Sequence, residues 1–485
     1  MSVLEKLEPK GVWRQFEAIC SIPHPSRHEE KLAEYIIHYA SKLGFDTRRD
    51  DVGNVVVDVP ATRGMEEKPT VVLQGHLDMV PVAAKGVSHD FETDPIRPYI
   101  DGDYVKARGT TLGADNGIGV AMMLAIMEDP NVSHGPLELF FTINEESGMD
   151  GAHGLKPDFL KGRILLNLDT EEWGEYYISC AGGGDSIISL PIFRESADNN
   201  DIIMTLSVSG LKGGHSGMDI NCGRGSGNKI IGRCLASAAE SAAFRLYSIR
   251  GGNKRNSIAD GAEAIVSVPE DEAEKFQAAI YKTAETIVSE YEKTDPDLEI
   301  ETVKGGLEDK SLQPMTKEST KKIVDMLVIL PHGVIAMSPE VPNLVETSTN
   351  IGVMSSTQDV FTTTLLTRSA VTSQLEAIKF HIKTIARLLG ADVEEPRGYP
   401  GWKPDMDSQL LKLAKKVFVE LHGYEPKVKA IHAGLECGLF SEKLPGVDMI
   451  SLGPEMHHVH SPAEELNIPS VPKTYHLLTA ILKSI

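Results

Sequence analysis

Cysteine is scarce in this chain of 485 residues, and its few thiols form no metal-binding or disulfide-type pattern. The sequence contains no C-x-x-C motif, and the number of cysteines is odd. Scattered cysteines of this kind argue against a disulfide framework and against a structural zinc knuckle. The five are Cys20, Cys180, Cys222, Cys234 and Cys437.

A secretory signal and a membrane-spanning segment are also missing from the sequence. The first residues, MSVLEKLEPKG, do not combine a basic start with an apolar stretch. No apolar run reaches the length of about 20 residues that crosses a bilayer as a helix. We therefore expect a cytoplasmic protein without a membrane partner.

Basic residues are outnumbered by acidic ones. The 48 Lys and Arg residues against 70 Asp and Glu residues leave a formal net charge of -22. Such a balance disfavours nucleic acid or an anionic membrane as the main partner. It suits a protein that binds divalent cations, although a solvated acidic surface accounts for most of the charge.

The chain is too long for one hydrophobic core, so two domains, or one domain interrupted by another, are expected. Up to about residue 185, alternating strands and helices predict an open α/β sheet with a mostly parallel core. Between 186 and 395, one-sided strands and long helices predict an inserted α+β domain of split-βαβ type. The α/β pattern then returns, which predicts a discontinuous first domain of residues 1–185 and 396–485. Near its start, Ser26 and Glu29 have the spacing of a capping box.

Ligand-type residues follow directly after apolar strands. Val71 to Leu73 runs into His76, and Asp78 follows two residues later. Residues two apart in an extended chain face the same side, so Asp78 can orient the His76 imidazole as a metal-ligating histidine requires. One such pair is as often an ordinary hydrogen-bonded pair. The metal-site interpretation is favoured because ligands bind at the carboxyl ends of parallel strands, and further acidic residues follow other strands of this sheet.

Five candidate metal ligands emerge from these positions. Two imidazoles with three carboxylates suit zinc, or a neighbour such as cobalt or manganese. Asp115, flanked by glycines at the entry of a helix, is the natural carboxylate to bridge two ions. The candidates are His76, Asp115, Glu146, Asp169 and one of His457, His458 and His460. Chemistry alone leaves the choice among the three histidines open.

The pair Glu145-Glu146 ends another apolar strand. Two buried acids are costly unless a cation or a proton neutralises them. Neighbouring side chains diverge, so one acid should bind a metal while the other works through a water molecule. An ordinary solvated loop is the alternative, and it loses ground because other apolar strands also end in ligand-type residues.

The order of these motifs resembles that of a known enzyme family, the two-zinc aminoacylases and carboxypeptidases. The motifs are His76-Leu77-Asp78, Gly113 to Gly117, Glu145-Glu146, Asp169 and His460. The resemblance covers nearly the full length and narrows to the branch of bacterial aminoacyl-histidine dipeptidases. The stretches typical of that branch are Cys20 to Ser26, Arg108 to Leu112, Leu211 to Gly217, Tyr399 to Trp402 and His432 to Gly438.

The resemblance implies two divalent metal ions per chain, with Zn²⁺ expected and Co²⁺ or Mn²⁺ as alternatives. One ion would be held by His76, Asp115 and Asp169. The other would be held by Asp115, Glu146 and His460, which resolves the choice among the three histidines. The resemblance also implies a cis peptide bond after Asp115.

Catalytic and substrate-binding roles follow from the same resemblance. It makes Glu145 the general base and Asp78 the residue that orients His76. His215, in a glycine-rich loop of the inserted lid domain, would reach the scissile carbonyl of the substrate. The residues with an implied substrate-binding role are Arg368, which would receive the substrate carboxylate, and Asn256, His432 and Glu436.

The implied activity is hydrolysis of dipeptides of the Xaa-His type that have a free amino terminus. The position of Asp169 is Asp in similar dipeptidases and aminopeptidases but often Glu in deacylases and carboxypeptidases. Two cations would activate a bridging water, Glu145 would transfer its proton to the leaving amine, and His215 would stabilise the oxyanion. The alternatives are an N-acyl amino acid deacylase and, more distantly, an inactive binding protein of the same fold. A homodimer is compatible with the sequence, and His215 could then act within its own chain or across the dimer.

Overall fold

The computed structural model describes residues 3–198, 200–307 and 311–485. The helices in this part of the chain are α1 (Lys10–Cys20), α2 (Glu30–Leu43), α3 (Ala114–Glu128), α4 (Glu145–Gly148), α5 (Asp150–Gly154), α6 (Gly227–Ala239), α7 (Ala273–Tyr291), α8 (Lys317–Ile329), α9 (Thr372–Leu389), α10 (Gln409–His422), α11 (Glu436–Lys443) and α12 (Ser470–Ser484). A short 3₁₀ turn, Glu270–Glu272, precedes α7.

The strands of the described residues follow the same chain order. They are β1 (Asp46–Arg49), β2 (Val55–Val59), β3 (Val71–His76), β4 (Pro98–Asp101), β5 (Tyr104–Ala107), β6 (Leu137–Thr142), β7 (Ile164–Asn167), β8 (Glu175–Cys180), β9 (Gly182–Pro191), β10 (Asp201–Ser209), β11 (Gly214–His215), β12 (Arg245–Gly251), β13 (Ser257–Ile258), β14 (Ala262–Pro269), β15 (Glu299–Lys304), β16 (Gly333–Met337), β17 (Val345–Ser356), β18 (Val360–Ser369), β19 (Asp392–Glu394), β20 (Lys427–Ile431), β21 (Asp448–Ser451), β22 (Met456–His457) and β23 (Glu465–Asn467).

The chain forms two compact units. The first unit comprises Met1–Ser179, Trp402–Ala430 and Leu435–Ile485, and the second comprises Cys180–Gly401 and Ile431–Gly434. The first unit is therefore discontinuous in sequence. The predicted domain boundaries at residues 185 and 396 stay predictions, as do the catalytic and lid roles of the two parts.

The first unit is built around an eight-stranded mixed sheet with the strand order β1-β2-β6-β3-β7-β21-β8-β20. At its centre β3 pairs in parallel with both β6 and β7, and β21 pairs in parallel with β7. All six residues of β3 and all six of β6 are buried, as expected of parallel strands covered on both faces. The carboxyl ends of these strands lie at one edge of the sheet, where ligands bind in open α/β folds.

The helix α3 lies against this sheet and is buried from Ala114 to Met127. Its sequence is apolar on all sides, which is typical of a helix without a solvent-facing surface. The sequence pattern predicted a helix from Ile118, where the apolar run begins. In the structure the helix begins at Ala114, and its first turn is irregular because Asp115 and Asn116 have non-helical backbone angles. The peptide bond between these two residues is cis, as the family resemblance implied.

The capping box expected at Ser26 is absent. The helix α2 begins at Glu30 without a side-chain cap. The Ser26 hydroxyl instead donates a hydrogen bond to Asp78 (2.8 Å), and Glu29 accepts one from the backbone N–H of Asn144 (3.0 Å). The local motif was misread because its side chains bind distant parts of the chain rather than the adjacent helix.

A small four-stranded sheet of the first unit has the order β22-β23-β5-β4. Its strands β22 and β23 form an antiparallel hairpin in which Met456 faces Leu466. The loop of this hairpin carries His460. The two strands are only two and three residues long, too short for a recognisable alternating pattern in the sequence.

The second unit contains a nine-stranded antiparallel sheet with the order β15-β10-β14-β12-β17-β18-β9-β19, to which β16 is added beside β17. In β10 the residues Met204, Leu206 and Val208 are buried and alternate with partly exposed ones, as the sequence pattern predicted. The short pair β11 and β13 brings His215 opposite Ser257. No helix in residues 3–198, 200–307 and 311–485 has both the length and the apolar character needed to cross a membrane.

Aromatic packing joins the C-terminal part of the first unit to its N-terminal part. Phe418 of α10 is fully buried, and its ring centroid lies 5.6 Å from that of Trp173 and 6.1 Å from that of Tyr176. Such pairs contribute about 0.5–1.5 kcal/mol beyond the apolar area they bury.

We predict that Phe418→Ala lowers the free energy of unfolding of the first unit by about 3–5 kcal/mol, because it leaves a cavity under α10. Trp13, Trp173 and Trp402 all belong to this unit, so tryptophan fluorescence during urea unfolding reports on it selectively. The control is Leu43→Ala at the exposed end of α2, which should change the free energy by no more than about 0.5 kcal/mol. Equal effects of the two substitutions would contradict the aromatic anchoring of α10.

Candidate active site

Two histidines of the first unit approach the same carboxylate. The Nε2 atom of His76 lies 3.0 Å from Oδ1 of Asp115, and Nε2 of His460 lies 3.0 Å from Oδ2. His76 ends β3, Asp115 lies in the irregular start of α3, and His460 lies in the hairpin loop. Each oxygen of Asp115 therefore faces a different imidazole.

One further carboxylate lies beside each imidazole. Asp169 Oδ1 is 3.2 Å from Nε2 of His76, and Glu146 Oε1 is 2.9 Å from Nε2 of His460. Apart from these imidazoles, neither oxygen has a hydrogen-bond partner among the described residues. Nitrogen and oxygen atoms that bind the same metal ion would lie at such distances from each other.

The donor atoms suit divalent metal ions. Ligand atoms of His76, Asp115 and Glu146 lie within 4.8 Å of one another, and imidazole nitrogens with carboxylate oxygens form a typical zinc ligand set. The contacts divide into two three-donor groups that share Asp115. His76 and Asp169 complete one group, and Glu146 and His460 complete the other.

The electrostatics of the cluster also favour a cation. Burial, together with the Asp115 carboxylate, raises the pKa of Asp169 to about 6 and that of Glu146 to about 7. Burial would lower the pKa of His460, but Asp115 and Glu146 raise it to about 11. Burial likewise opposes ionisation of Asp115, yet His460 and His76 hold the pKa of its carboxyl far below the usual value. The site therefore attracts positive charge at the imidazole nitrogens.

Two of the three histidines of the C-terminal cluster lie in clearly different surroundings. His460 approaches Asp115, whereas His457 has its Nε2 atom 3.5 Å from Oε1 of Glu455 and its ring near that of Tyr104. The backbone of His460 has a positive φ of 60°, which turns its side chain within the hairpin loop.

Asp78 binds two neighbouring segments at once. Its backbone carbonyl lies 3.0 Å from Nδ1 of His76 and accepts the proton of that nitrogen, which leaves Nε2 as the ring atom that faces Asp115 and Asp169. Its carboxylate is 3.5 Å from the same Nδ1 atom, and it accepts hydrogen bonds from the backbone N–H groups of Glu145 (2.8 Å) and Glu146 (3.1 Å). Asp78 therefore holds the turn that carries both acids as well as facing His76.

Glu145 lies at the start of α4, directly after β6 and an Asn144 residue with positive φ. Burial raises the pKa of its carboxyl well above the usual value; His76 opposes this effect, and the carboxylates of Glu146 and Asp169 add to it. A carboxyl group with a raised pKa can accept a proton near neutral pH and release it again.

Glu436 is fully buried at the first residue of α11. Its Oε2 atom accepts hydrogen bonds from Nε2 of Gln74 (2.6 Å) and from the hydroxyl of Thr142 (2.7 Å). Burial raises the pKa of Glu436 to about 8, with His76 working in the opposite direction. No atom of this side chain reaches solvent. Its substrate-binding role stays a prediction.

A second group of predicted residues lies in the second unit. The backbone N–H groups of Gly217 and Met218 donate to Nδ1 of His215 (3.2 and 3.1 Å), so the ring proton is on Nε2. Burial and the nearby Arg368 lower the pKa of His215. The backbone carbonyl of the adjacent Asn256 accepts from Ser216 N–H (2.9 Å). His215 is thus a neutral hydrogen-bond donor at pH 7.

Arg368 is a buried cation without an acidic partner among the described residues. One of its terminal N–H groups donates to the Tyr399 hydroxyl (3.1 Å), and its Nε has no partner there. His432 lies nearby, its Nε2 atom 2.7 Å from the Ser348 hydroxyl, and burial with Arg368 lowers its pKa to about 3. A buried guanidinium with unused donors is suited to bind a carboxylate.

The structure thus brings the predicted residues together in two groups. The first unit contains His76, Asp78, Asp115, Glu145, Glu146, Asp169, Glu436 and His460, and the second contains His215, Asn256, Arg368 and His432. Their individual roles remain predictions. The sequence interpretation missed the contact of Tyr399 with Arg368 and also missed Glu464, whose only signal was its position four residues after His460.

Comparison with known proteins identifies similar chains. The sequence profile of peptidase family M20/M25/M40 matches residues 72–484. The cytosol non-specific dipeptidase of Escherichia coli (strain K12) is 43% identical over 485 residues, which cover 100% of this chain and 99% of that protein. The crystal structure of aminoacylhistidine dipeptidase from Vibrio alginolyticus matches with a TM-score of 0.92 at 43% identity, over 99% of this chain and 98% of the other. Aminopeptidase PepT from Bacillus cereus shows the same fold at 17% identity, with a TM-score of 0.54 over 99% of each chain.

The buried carboxyl of Glu436 generates a prediction about pH. Its pKa is higher in the folded protein than the value of 4.5 for an exposed glutamate, so between pH 4.5 and about 8 the folded state keeps a proton that the unfolded state loses. The protonated Glu436 therefore stabilises the fold at low pH. As the pH rises through this range, its contribution to the free energy of unfolding falls by up to about 1.4 kcal/mol per pH unit. Glu436→Gln should remove this slope, because the amide mimics the protonated acid.

The measurement is urea unfolding of the metal-free protein at pH 5 and pH 8. The matched control is Glu442→Gln, an exposed glutamate in the same helix, which should retain the wild-type slope. An unchanged pH dependence in the Glu436→Gln variant would show that Glu436 ionises normally in the folded protein.

Proposed function

Because the chain belongs to peptidase family M20/M25/M40, we propose that it is a dipeptidase that cleaves dipeptides with a free amino terminus. The full-length matches confirm the predicted family, the predicted fold class and the prediction of a metallopeptidase. The fold class comprises a discontinuous α/β part with a mixed sheet and an inserted α+β part. The family implies the use of divalent metal, whereas two ions per chain, with zinc as the metal, are part of the proposal.

The observation that carries the proposal is the shared carboxylate. Asp115 directs one oxygen to His76 and the other to His460, at 3.0 Å each. The acidic partners Asp169 and Glu146 lie on either side. We assign His76, Asp115 and Asp169 to one ion and Asp115, Glu146 and His460 to the other. When bound, two such ions supply a water of lowered pKa and polarise the carbonyl that is attacked.

Glu145 is assigned the proton transfers. Its backbone N–H is fixed by Asp78, and its buried carboxyl has a raised pKa, which supports a group that accepts a proton from water and donates it to the leaving amine. Glu146, one residue later, points to His460 instead. The neighbouring acids therefore divide into a base and a ligand.

His215 is assigned to the oxyanion. Its Nδ1 atom accepts two backbone hydrogen bonds, which leaves Nε2–H as a donor, and its lowered pKa keeps the ring neutral. A neutral N–H donor stabilises developing negative charge on oxygen without acting as a competing base. Whether His215 acts within its own chain or across a homodimer stays a prediction.

Arg368 is assigned to the substrate carboxylate. The guanidinium is buried, has unused donors and contacts the Tyr399 hydroxyl, which can itself donate to the same carboxylate. Asn256 and His432 are assigned to the surrounding pocket.

The breadth of the substrate range is the finer part of the proposal. One 43% identical relative is named a non-specific dipeptidase and the other an aminoacylhistidine dipeptidase. We propose Xaa-His dipeptides as substrates in the cytoplasm, with small dipeptides as the only partners assigned. The N-acyl amino acid deacylase remains the alternative to be tested.

The assignment of the two adjacent glutamates predicts opposite phenotypes. Glu145→Gln should retain two ions per chain and lose about 10²- to 10⁴-fold in kcat, because only the proton transfers are removed. Glu146→Gln should lose an ion, because its oxygen is a ligand. Metal content by atomic emission after dialysis, with kcat on an Xaa-His dipeptide, distinguishes them. A Glu145→Gln variant with normal turnover would remove Glu145 from its role.

The activity itself is tested with a small substrate panel. L-alanyl-L-histidine should be hydrolysed, a chelator should abolish the reaction, and Zn²⁺, Co²⁺ or Mn²⁺ should restore it. N-acetyl-L-histidine lacks the free amine and L-alanyl-L-histidine amide lacks the carboxylate, so both should react much more slowly. L-alanyl-L-alanine measures the preference for histidine. Faster hydrolysis of the N-acetyl compound would favour the deacylase instead.

A further inference from the structure

Glu464 is a buried carboxylate that belongs to neither group of metal donors. Its side chain is 2% exposed, and it lies in the hairpin loop between β22 and β23, four residues after His460. No lysine, arginine or histidine of the described residues forms an ion pair with it. A buried charge without a cation is costly unless several hydrogen bonds compensate for its lost hydration.

Backbone N–H groups provide part of this compensation and lower the pKa of the Glu464 carboxyl, although burial is the larger effect and keeps that pKa above its usual value. Oε2 of Glu464 accepts hydrogen bonds from Leu112 (2.7 Å) and Gly113 (3.1 Å). Oε1 accepts from Ala114 (2.8 Å) and, at a longer distance, from Asp115 (3.4 Å). Four successive N–H groups therefore converge on one carboxylate, an arrangement that favours negative charge.

These N–H groups belong to the irregular start of α3. Gly113 precedes the helix with a positive φ of 70°, and as a glycine it has no side chain with which to cap the helix. Glu464 takes this place from a segment about 350 residues away. Its negative charge lies at the positive end of the helix dipole, where an anion is stabilised. Glu464 thus ties the hairpin loop to the residues that precede Asp115.

The other end of the connection is the loop that carries His460. The backbone N–H of Glu464 donates to the carbonyl of Ser461 (3.0 Å), and the Ser461 hydroxyl donates to the carbonyl of His458 (2.7 Å). The loop is therefore closed on itself between His458 and Glu464. A displacement of the Glu464 carboxylate from α3 would move His460 relative to Asp115.

We propose that Glu464 is a positioning residue that sets the distance between His460 and Asp115. The inference rests on the proposed two-metal function. Asp115 serves both donor groups, but His460 serves only one. Loss of the Glu464 carboxylate should therefore weaken the ion held by Asp115, Glu146 and His460 much more than the ion held by Asp115, Asp169 and His76. The expected effect is 10- to 100-fold on the affinity of that one ion, as for other residues that support metal ligands.

The test is a Co²⁺ titration of the metal-free full-length protein, followed by visible absorption and by equilibrium dialysis. Glu464→Gln replaces an acceptor oxygen with an N–H₂ group that faces backbone donors. We expect it to bind one Co²⁺ with wild-type affinity and the second 10- to 100-fold more weakly. His460→Asn serves as the spectroscopic reference, because it removes a ligand of the second ion directly. The absorption change of Glu464→Gln should match that of this reference.

The matched control is Glu465→Gln in the same hairpin. The neighbouring Glu465 forms an ion pair with Lys106 (3.1 Å) away from α3, so this variant should bind both ions normally. If Glu464→Gln does not yield folded protein, the charge-retaining Glu464→Asp is measured in the same way. It should weaken the same single ion.

The outcomes separate the inference from the proposed function. Two ions at wild-type affinity in Glu464→Gln, or equal weakening of both ions together with a lower melting temperature, would overturn the positioning role. The first result would mean that Glu464 has no influence on the metal centre, and the second that it only stabilises the fold. A wild-type protein that binds fewer than two ions would instead refute the two-metal proposal itself.

Discussion

The structure of the first unit depends on one electrostatic constraint, which is that several carboxylates are buried close to one another. Asp115 lies between the two imidazoles, with Asp169 on one side and Glu146 on the other. Burial raises the pKa of Glu145, and the nearby carboxylates of Glu146 and Asp169 raise it further. Burial of so much negative charge is unfavourable unless positive charge or hydrogen-bond donors offset it.

The buried carboxylates meet this constraint in two different ways. Glu29, Asp78 and Glu464 accept hydrogen bonds from backbone N–H groups of the turns that precede or contain the candidate ligands. Glu146 and Asp169 each leave a buried oxygen without a hydrogen-bond partner among the described residues. The first kind of carboxylate receives its hydrogen bonds from the fold and fixes the backbone. The second kind still requires a proton or a cation, and a divalent ion bound beside the neighbouring imidazoles would supply that charge.

The parts of this arrangement that follow from local patterns were accessible from the sequence. The strands β3, β6 and β7 are short apolar runs, and the polar residues directly after them were expected at one edge of a parallel sheet. Predictions failed where a side chain acts over a long distance. Ser26 and Glu29 resemble a helix cap in the sequence, but they bind Asp78 and the Asn144 backbone. The pattern gave no reason to connect Glu464 with α3, because that contact depends on a hairpin too short to recognise.

The choice among the three C-terminal histidines shows the same limit more sharply. His457 and His460 are equivalent as chemical groups, and only the family resemblance favoured His460. The hairpin separates them because His457 belongs to β22 and faces Glu455, whereas the loop turns His460 towards Asp115. Residue type therefore indicated the class of candidate ligand, and backbone geometry brings one individual residue next to Asp115.

Histidines of the two units differ in a way that follows from their neighbours. Around His76 and His460 the carboxylates outweigh burial and raise the imidazole pKa, so these nitrogens favour positive charge in front of them. Around His215 and His432 burial and the Arg368 guanidinium lower the pKa and keep both rings neutral. A neutral ring with a fixed N–H can only donate at that atom. Opposite local charges thus suit one residue type to bind a cation in the first unit and to donate a hydrogen bond to an anion in the second.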